Sequence, residues 1–313
     1  MREGLNLLGE FEDIVQKGVV QAQGAGVALL YSETSDVYLG MIGARSASFA
    51  PGLRTLYLAL RHAELPVDIV IEPDAAAGLL EHYAALYVAL PYMTTECGSA
   101  IASWVGKSGG SVFATAAGGL LNETNQTNVP FSRLLGVQQH GLWSGEGDAW
   151  NSTVFFVKQD LNFVQPLDTV TVGSDKLVVK GLKSMFAVTD SAATIVGKFK
   201  DGSAAVVERV EGRGRTTYAG FLPGLSYYEG AIPTRPVDRS SVDSGMNHFI
   251  PTAMVRAARR FIAAPLDGVA GARPVTLVAG ETVIVMTPPC LSLLKNLMKV
   301  QGVPPPVYPC RSI

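Results

Sequence analysis

The sequence predicts an α/β fold: a doubly wound, mostly parallel sheet followed by a β-rich second half and a short C-terminal extension. Three observations carry this expectation. Four short apolar runs alternate with helical stretches between Gly26 and Gly119. After about residue 150 the rhythm changes to short β-branched runs broken by glycine turns. Beyond residue 264 only one strand-like run and one short amphipathic stretch precede Pro304-Pro305-Pro306.

Taken in order, Leu5, Leu8, Phe11, Ile14 and Val15 recur at helical spacing, so residues 4–17 are expected as an amphipathic helix within an N-terminal linker over 1–23. Val27-Ala28-Leu29-Leu30-Tyr31 is the first strand and ends at Ser32-Glu33-Thr34. The second runs from Pro66 to Ile71 and ends at Glu72-Pro73-Asp74, the third from Ala84 to Leu90 before Pro91, and the fourth from Gly110 to Thr115 before Gly118-Gly119. Runs this short and this apolar suit strands buried on both faces, as in a parallel sheet covered by helices. Leu53 to His62 reads as a crossover helix with Pro51-Gly52 at its start. A second helix opens at Thr94 or Thr95 as N-cap, carries Ile101, Trp104 and Val105, and stops at Gly109-Gly110.

The second half of a main domain spanning 24–264 holds a β-rich hairpin region over 150–222. Its expected strands are Ser152 to Val157, Thr169 to Val172, Lys176 to Val179, Ser184 to Thr189 and Thr194 to Phe199. Ala204 to Val210 and Arg215 to Phe221 flank the tight turn Gly212-Arg213-Gly214 as a hairpin. An irregular stretch from Pro223 to Asn247 leads to a helix over Pro251 to Ala263. The extension, 265–313, offers a strand at Thr282 to Met286 and a helix around Leu291 to Met298.

Composition narrows the function classes. Hydrophobic residues make up 48% of the 313 and charged residues 17%, ample for a large core. A formal net charge of −2 gives no electrostatic pull toward nucleic acid or an anionic membrane, so neither is expected as a partner. The longest apolar run, Tyr83 to Met93, is too short to span a bilayer and contains Pro91. Glu10, Glu12, Asp13 and Lys17 stand where a signal peptide needs an unbroken apolar stretch, so the expected location is the cytoplasm. Cys97, Cys290 and Cys310 form no C-x-x-C pair and read as reduced thiols. His62, His82, His140 and His248 have no metal-ligand spacing, so no metal and no cofactor is expected. The glycosylation-type triplets at Asn122, Asn125 and Asn151 read as loop markers.

A resemblance emerges from several stretches together. They are Val27-Ala-Leu-Leu-Tyr-Ser-Glu, Leu65-Pro-Val-Asp-Ile-Val, Leu86-Tyr-Val-Ala-Leu-Pro and Trp104-Val-Gly-Lys-Ser-Gly-Gly. To these add the Gly118-Gly119 to Asn122-Glu123 loop with Leu134-Leu-Gly-Val137 after it, and Gly212-Arg-Gly-Arg-Thr-Thr-Tyr-Ala-Gly220. In order and spacing, over about residues 5–263, this resembles the trimerisation domain of family-42 glycoside hydrolases, the microbial β-galactosidases. The resemblance implies a flavodoxin/amidotransferase-like sheet and a homo-oligomer, a trimer, that does no chemistry itself. In the family a separate (β/α)₈ barrel supplies the catalytic carboxylates, and such barrels need about 250 residues. Residues upstream of 24 have no room for one, so the chain is either a fragment of a longer carbohydrate-active enzyme or a stand-alone relative without the barrel.

A class I glutamine amidotransferase places a cysteine on the turn after the strand that here ends at Thr115. This turn reads Ala114-Thr115-Ala116-Ala117-Gly118-Gly119, so no catalytic residue is assigned there. Cys97, beside Glu96, is the rival thiol, but an adjacent carboxylate raises a thiol pKa, and a half-buried packing role is the better reading. A glycosidase needs two carboxylates about 5–10 Å apart, and Glu33, Asp36, Glu72, Asp74 and Glu123 stand at expected strand ends. The alternative to a self-association module is therefore a stand-alone hydrolase or sugar-binding protein. Its candidate site at the strand carboxyl ends comprises Ser32, Glu33, Glu72, Tyr92, Asn122 and Glu123, with a carbohydrate as candidate ligand. Tyr228, Arg235, Asp238, Arg239 and His248, in the long loop after Pro223, form a second candidate surface, a loop or subunit contact.

Overall fold

A computed structural model describes residues 26–42, 48–144, 166–229, 232–233, 249–250, 253–267, 275–277 and 284–286. The linker helix expected over 4–17, the strand over 152–157 and the amphipathic stretch around 291–298 lie outside the described residues. So do Arg235, Asp238, Arg239, His248, Cys290, Cys310 and the triplet at Asn151.

Nine strands form one mixed sheet. In spatial order they are β2 (Asp68–Ile71), β1 (Gly26–Tyr31), β3 (Tyr83–Val88), β4 (Ser111–Ala114), β11 (Gly214–Ala219), β10 (Ala204–Glu211), β9 (Thr194–Phe199), β6 (Pro166–Val172) and β7 (Asp175–Lys180). The first five run parallel. From β11 onward each pair is antiparallel, with β10 and β11 joined as the expected hairpin. A separate two-stranded ribbon pairs β5 (Val137–Trp143) with β8 (Lys183–Val188).

The inner parallel strands β1, β3 and β4 are almost continuously apolar because both faces are covered, whereas edge strand β2 exposes Asp68 and Ile69 and β11 carries Arg215, Thr216 and Thr217. On one face Val27, Leu29, Tyr87 and Phe113 pack into a core with Leu56 and Leu60 of α2 (Phe49–His62) and Ile262 of the helix Arg256–Ala263. On the other face Ala28, Leu30, Leu86, Val88 and Val112 pack with Ile101 and Val105 of α4 (Thr95–Ser108) and with Phe131 and Leu134 of α5 (Val129–Leu135). Two further helices, α1 (Glu33–Ile42) and α3 (Glu72–Ala76), each follow a strand directly. Helix α2 begins at Phe49, four residues before the expected start. Pro51 falls in its first turn, where a missing N–H costs nothing.

Helix α4 matches its sequence signals closely. Thr94 is the N-cap, its Oγ1 accepting from the Cys97 N–H at 3.2 Å. Gly109 closes the helix in the left-handed conformation, φ 83°, accepting no Cβ penalty. The chain then passes through α6 (Pro223–Tyr227) to α7, the helix Arg256–Ala263 named above, which Tyr87 anchors by donating to the Ile262 carbonyl at 2.7 Å. Tyr228 lies on a short strand, Tyr228–Glu229, that pairs with Ala253–Met254.

Two groups lock the ribbon to the main sheet. The Tyr218 hydroxyl of β11, fully buried, donates to Ser184 Oγ of β8 at 2.8 Å. Lys183 of β8 pairs with Asp168 of β6 at 2.7 Å and with Asp201, after β9, at 2.9 Å. The hydroxyl and backbone N–H of Ser203, and then Lys183, pull the Asp201 carboxyl from 3.8 down to about 2. A depressed carboxyl contributes stability that is complete above its unfolded pKa and is lost as pH falls through the folded one. Melting temperatures followed from about pH 5 to about pH 2 should therefore decline below about pH 4, with D201N declining less over that window.

Candidate functional site at the carboxyl ends of the parallel strands

Because β1, β2 and β3 are parallel, the residues that follow each of them meet at one edge of the sheet. Ser32 follows β1, Glu72 follows β2, and Tyr92 lies four residues beyond β3. Glu72 is 4% exposed. A buried carboxylate is tolerable only when its lone pairs are filled, and here four donors fill them. Oε1 accepts from Ser32 Oγ at 2.6 Å and the Thr34 N–H at 3.2 Å; Oε2 accepts from Thr34 Oγ1 at 3.2 Å and the Thr94 N–H at 2.6 Å. Ser32 Oγ also lies 2.6 Å from the Tyr92 carbonyl, so its single proton is shared between two acceptors. The same oxygen accepts from the Ser35 N–H at 2.8 Å. Ser35 Oγ bonds both backbone groups of Tyr92, each at 2.8 Å. One acid thus ties the start of α1, the end of β2 and the start of α4.

A second layer lies outside this knot. The rings of Tyr38 and Tyr92 stack with centroids 4.4 Å apart and planes 10° from parallel. The Tyr92 hydroxyl donates to Asn125 Oδ1 at 3.0 Å, and the Tyr38 hydroxyl to the Glu123 carbonyl at 2.8 Å. Glu123 Oε2 accepts from the Thr95 N–H at 2.7 Å and from Thr95 Oγ1 at 3.1 Å, at the first turn of α4. Backbone N–H groups, its own first and then that of Thr95, hold the Glu123 carboxyl below its ordinary range. Asn122 Oδ1 accepts three bonds, from the Thr124 N–H and hydroxyl and the Gln126 N–H, at 2.9 to 3.0 Å, which folds the loop on itself.

The six candidate residues therefore fall into groups. Ser32 and Glu72 are in direct contact, and Tyr92 joins them through its backbone. Asn122 and Glu123 converge on Thr95. Glu33 stands apart, exposed in the first turn of α1. Glu72 differs from the usual solvated strand-end acid because hydroxyl and N–H donors surround it on every side. Thr34, Ser35, Tyr38 and Thr94 join the site in addition to the six sequence candidates. The run Ser32-Glu33-Thr34-Ser35 and the pair Thr94-Thr95, dense in hydroxyls at two strand ends, are the signal that points to them.

The turn after β4 is closed: the strand ends at Ala114, one residue before the expected end, and the Thr115 hydroxyl that follows is buried. Ala116 and Ala117 are both wholly buried. Ala117 has φ 60°, a left-handed value that costs a non-glycine residue about 1 kcal/mol or more, and its N–H donates to the Tyr218 hydroxyl at 3.2 Å. Gly119, φ 67°, has no room for a side chain: a Cβ there would lie 2.0 Å from Met93 Cε. Cys97 is buried too. Burial first, then the charges of Glu72 and Glu96, push its thiol up to about 12, so it carries negligible thiolate at neutral pH. Among the described residues, no group of three or more His, Cys, Asp or Glu side chains could hold a metal ion, and no helix is long and apolar enough to cross a membrane.

The arrangement defines an α/β protein with a mixed sheet flanked by helices and a hydrogen-bonded edge at its parallel strand ends. No family model matches the chain, and no curated protein matches it in sequence. Solved structures do share the fold. The GH42 β-galactosidase Gan42B from G. stearothermophilus aligns at TM-score 0.50 and 17% identity, covering 62% of this chain and 27% of that one. The β-galactosidase of Bacillus circulans sp. alkalophilus aligns at TM-score 0.52 and 13% identity, over 66% and 30%. That of the Antarctic haloarchaeon Halorubrum lacusprofundi aligns at 0.52 and 17%, over 77% and 30%. The chain thus spans less than a third of the length of these β-galactosidases.

Replacing Glu72 with Gln supplies one acceptor oxygen where two were used and turns an amide NH₂ toward other donors. E72Q should lose ~2–4 kcal/mol of stability, read as a lower urea midpoint at unchanged slope.

Proposed function

We propose that the chain is a non-catalytic self-association module related to the trimerisation domain of family-42 glycoside hydrolases. The observation that carries this reading is the turn after β4, where buried Ala116 and Ala117 stand at the bend that an amidotransferase arms with a thiol. The strand order β2-β1-β3-β4-β11, with helices against both faces, supports the doubly wound, flavodoxin/amidotransferase-like reading. So does the fold shared with part of the much longer β-galactosidases. On this reading residues 24–264 form the module, 1–23 link it to whatever precedes it, and 265–313 are an extension. It acts in the cytoplasm as a homotrimer, and a barrel on the same or another polypeptide supplies any glycosidic chemistry. Val37 and Met41, one turn apart on α1 and 63% and 78% exposed, are apolar surface that self-association would cover. Light scattering on a gel-filtration column should return three times the 33.1 kDa chain mass at micromolar concentration. A strict monomer would overturn the proposal.

A second reading, a hydrolase or sugar-binding protein acting at the strand ends, draws on Glu33 and Glu123, two exposed carboxylates in segments that follow parallel strands. It predicts turnover of nitrophenyl galactosides by the purified chain, abolished in E33Q. Absence of turnover removes the hydrolase form.

A further inference from the structure

A hollow lies well away from the strand ends. A groove of about 830 Å³ lies between the β5–β8 ribbon and the β6, β9 and β10 end of the main sheet. That volume falls in the range of small-molecule sites. One wall is apolar: Trp143, Met185 and Phe186 line it, and Met185 is 48% exposed. A bulge aims a further side chain at the groove. Gln139 pairs with Phe186 and Gly141 with Met185, so His140 is the extra residue of the ribbon, and it joins the lining.

The rest of the lining is largely polar and electrically balanced. Asp168 and Asp201 face Lys183 and Lys200, so the four charges sum to zero. Lys183 is already engaged, by Asp168 at 2.7 Å, by Asp201 at 2.9 Å and by the Phe199 ring at 4.1 Å, and offers no free site to an anion. Asp201 is different. Its side chain is 59% exposed, and Ser203 and Lys183 fix its carboxylate in place while leaving one lone pair, on Oδ2, open to a further donor. The groove therefore combines an aromatic and thioether wall, a preoriented carboxylate and a histidine, with no net charge. Its lining charges balance, so net charge selects neither a cationic nor an anionic ligand. A neutral ring with one C–H face and an edge of hydroxyls matches both parts of the lining: the face lies on Trp143 and the hydroxyls donate to Asp201.

We infer that the groove between the β5–β8 ribbon and the β6/β9/β10 edge is a binding site for a neutral pyranoside. Trp143 supplies the stacking platform, Asp201 the hydroxyl acceptor and His140 a rim contact. The site involves no bond-making step, lies apart from the strand-end knot, and stands whether or not the chain self-associates.

Saturation-transfer NMR on the full chain tests it, with methyl β-galactopyranoside, methyl β-glucopyranoside, methyl α-mannopyranoside and lactose as probes, and glycerol as a hydroxylated molecule lacking the ring face. At least one pyranoside should receive saturation, strongest at its ring C–H protons, with a dissociation constant of about 1 mM, and glycerol should receive none. W143A should weaken binding about tenfold and H140A about threefold, while S103A, on the exposed side of α4, leaves it unchanged. Circular dichroism accompanies each variant. Should W143A fail to fold, H140A alone decides, since His140 is exposed on the ribbon. No saturation of any pyranoside, equal saturation of glycerol, or full binding by a folded W143A or by H140A would overturn the inference.

Discussion

One buried carboxylate sets the terms for the edge of the sheet where parallel strands end. Glu72 sits almost out of contact with water, and its charge is tolerable only because Ser32, Thr34 and Thr94 bring four donors to it. Each of those donors belongs to the segment that follows a different strand or opens a helix. The position of α1 relative to α4 is thus dictated by hydrogen-bond geometry rather than by apolar packing alone. The same demand consumes the acceptors that a substrate would otherwise meet at this edge. What remains outward is Tyr38, stacked on the buried Tyr92, and the Asn122–Asn125 loop, both tied by their own bonds.

The rest of the molecule divides its work along the sheet. The parallel half buries both faces of β1, β3 and β4 under helices, and those three strands are almost continuously apolar. The antiparallel half carries a charged lock, Lys183 with Asp168 and Asp201, between the main sheet and a ribbon that stands off it. Tyr218 joins the two regimes. Its hydroxyl accepts from Ala117 at the closed turn and donates to Ser184 on the ribbon, so the left-handed alanine and the ribbon are braced by one oxygen. The groove beside that ribbon exists because the ribbon does not continue the nine-stranded sheet.

How much of this was legible in the sequence follows from which forces are local. The four parallel strands, the hairpin of β10 with β11 and both ends of α4 were readable from apolar runs, a glycine turn and a threonine cap. Helix α1 was not, because Glu33-Thr-Ser-Asp-Val-Tyr-Leu-Gly-Met-Ile leaves Val37 and Met41 exposed and carries a glycine, so no clean apolar stripe forms. Strand β5 was missed for a related reason: Gln138, Gln139 and His140 interrupt its apolar alternation, and the bulge breaks its period. Of the site, the residue types at the strand ends were readable. Glu72 was readable as an acid but not as a buried one, since its partners come from 38 residues upstream and 22 downstream. Burial produced by distant donors leaves no trace in the neighbouring residues.

The pairing of β4 with β11 has a temporal side. Ser111 sits opposite Arg215 in the middle of the sheet, so the fourth parallel strand waits for a partner that leaves the ribosome about a hundred residues later. Until then its backbone groups form a bare margin beside three finished strands, and the emerging chain carries its most adhesive edge through much of its own synthesis.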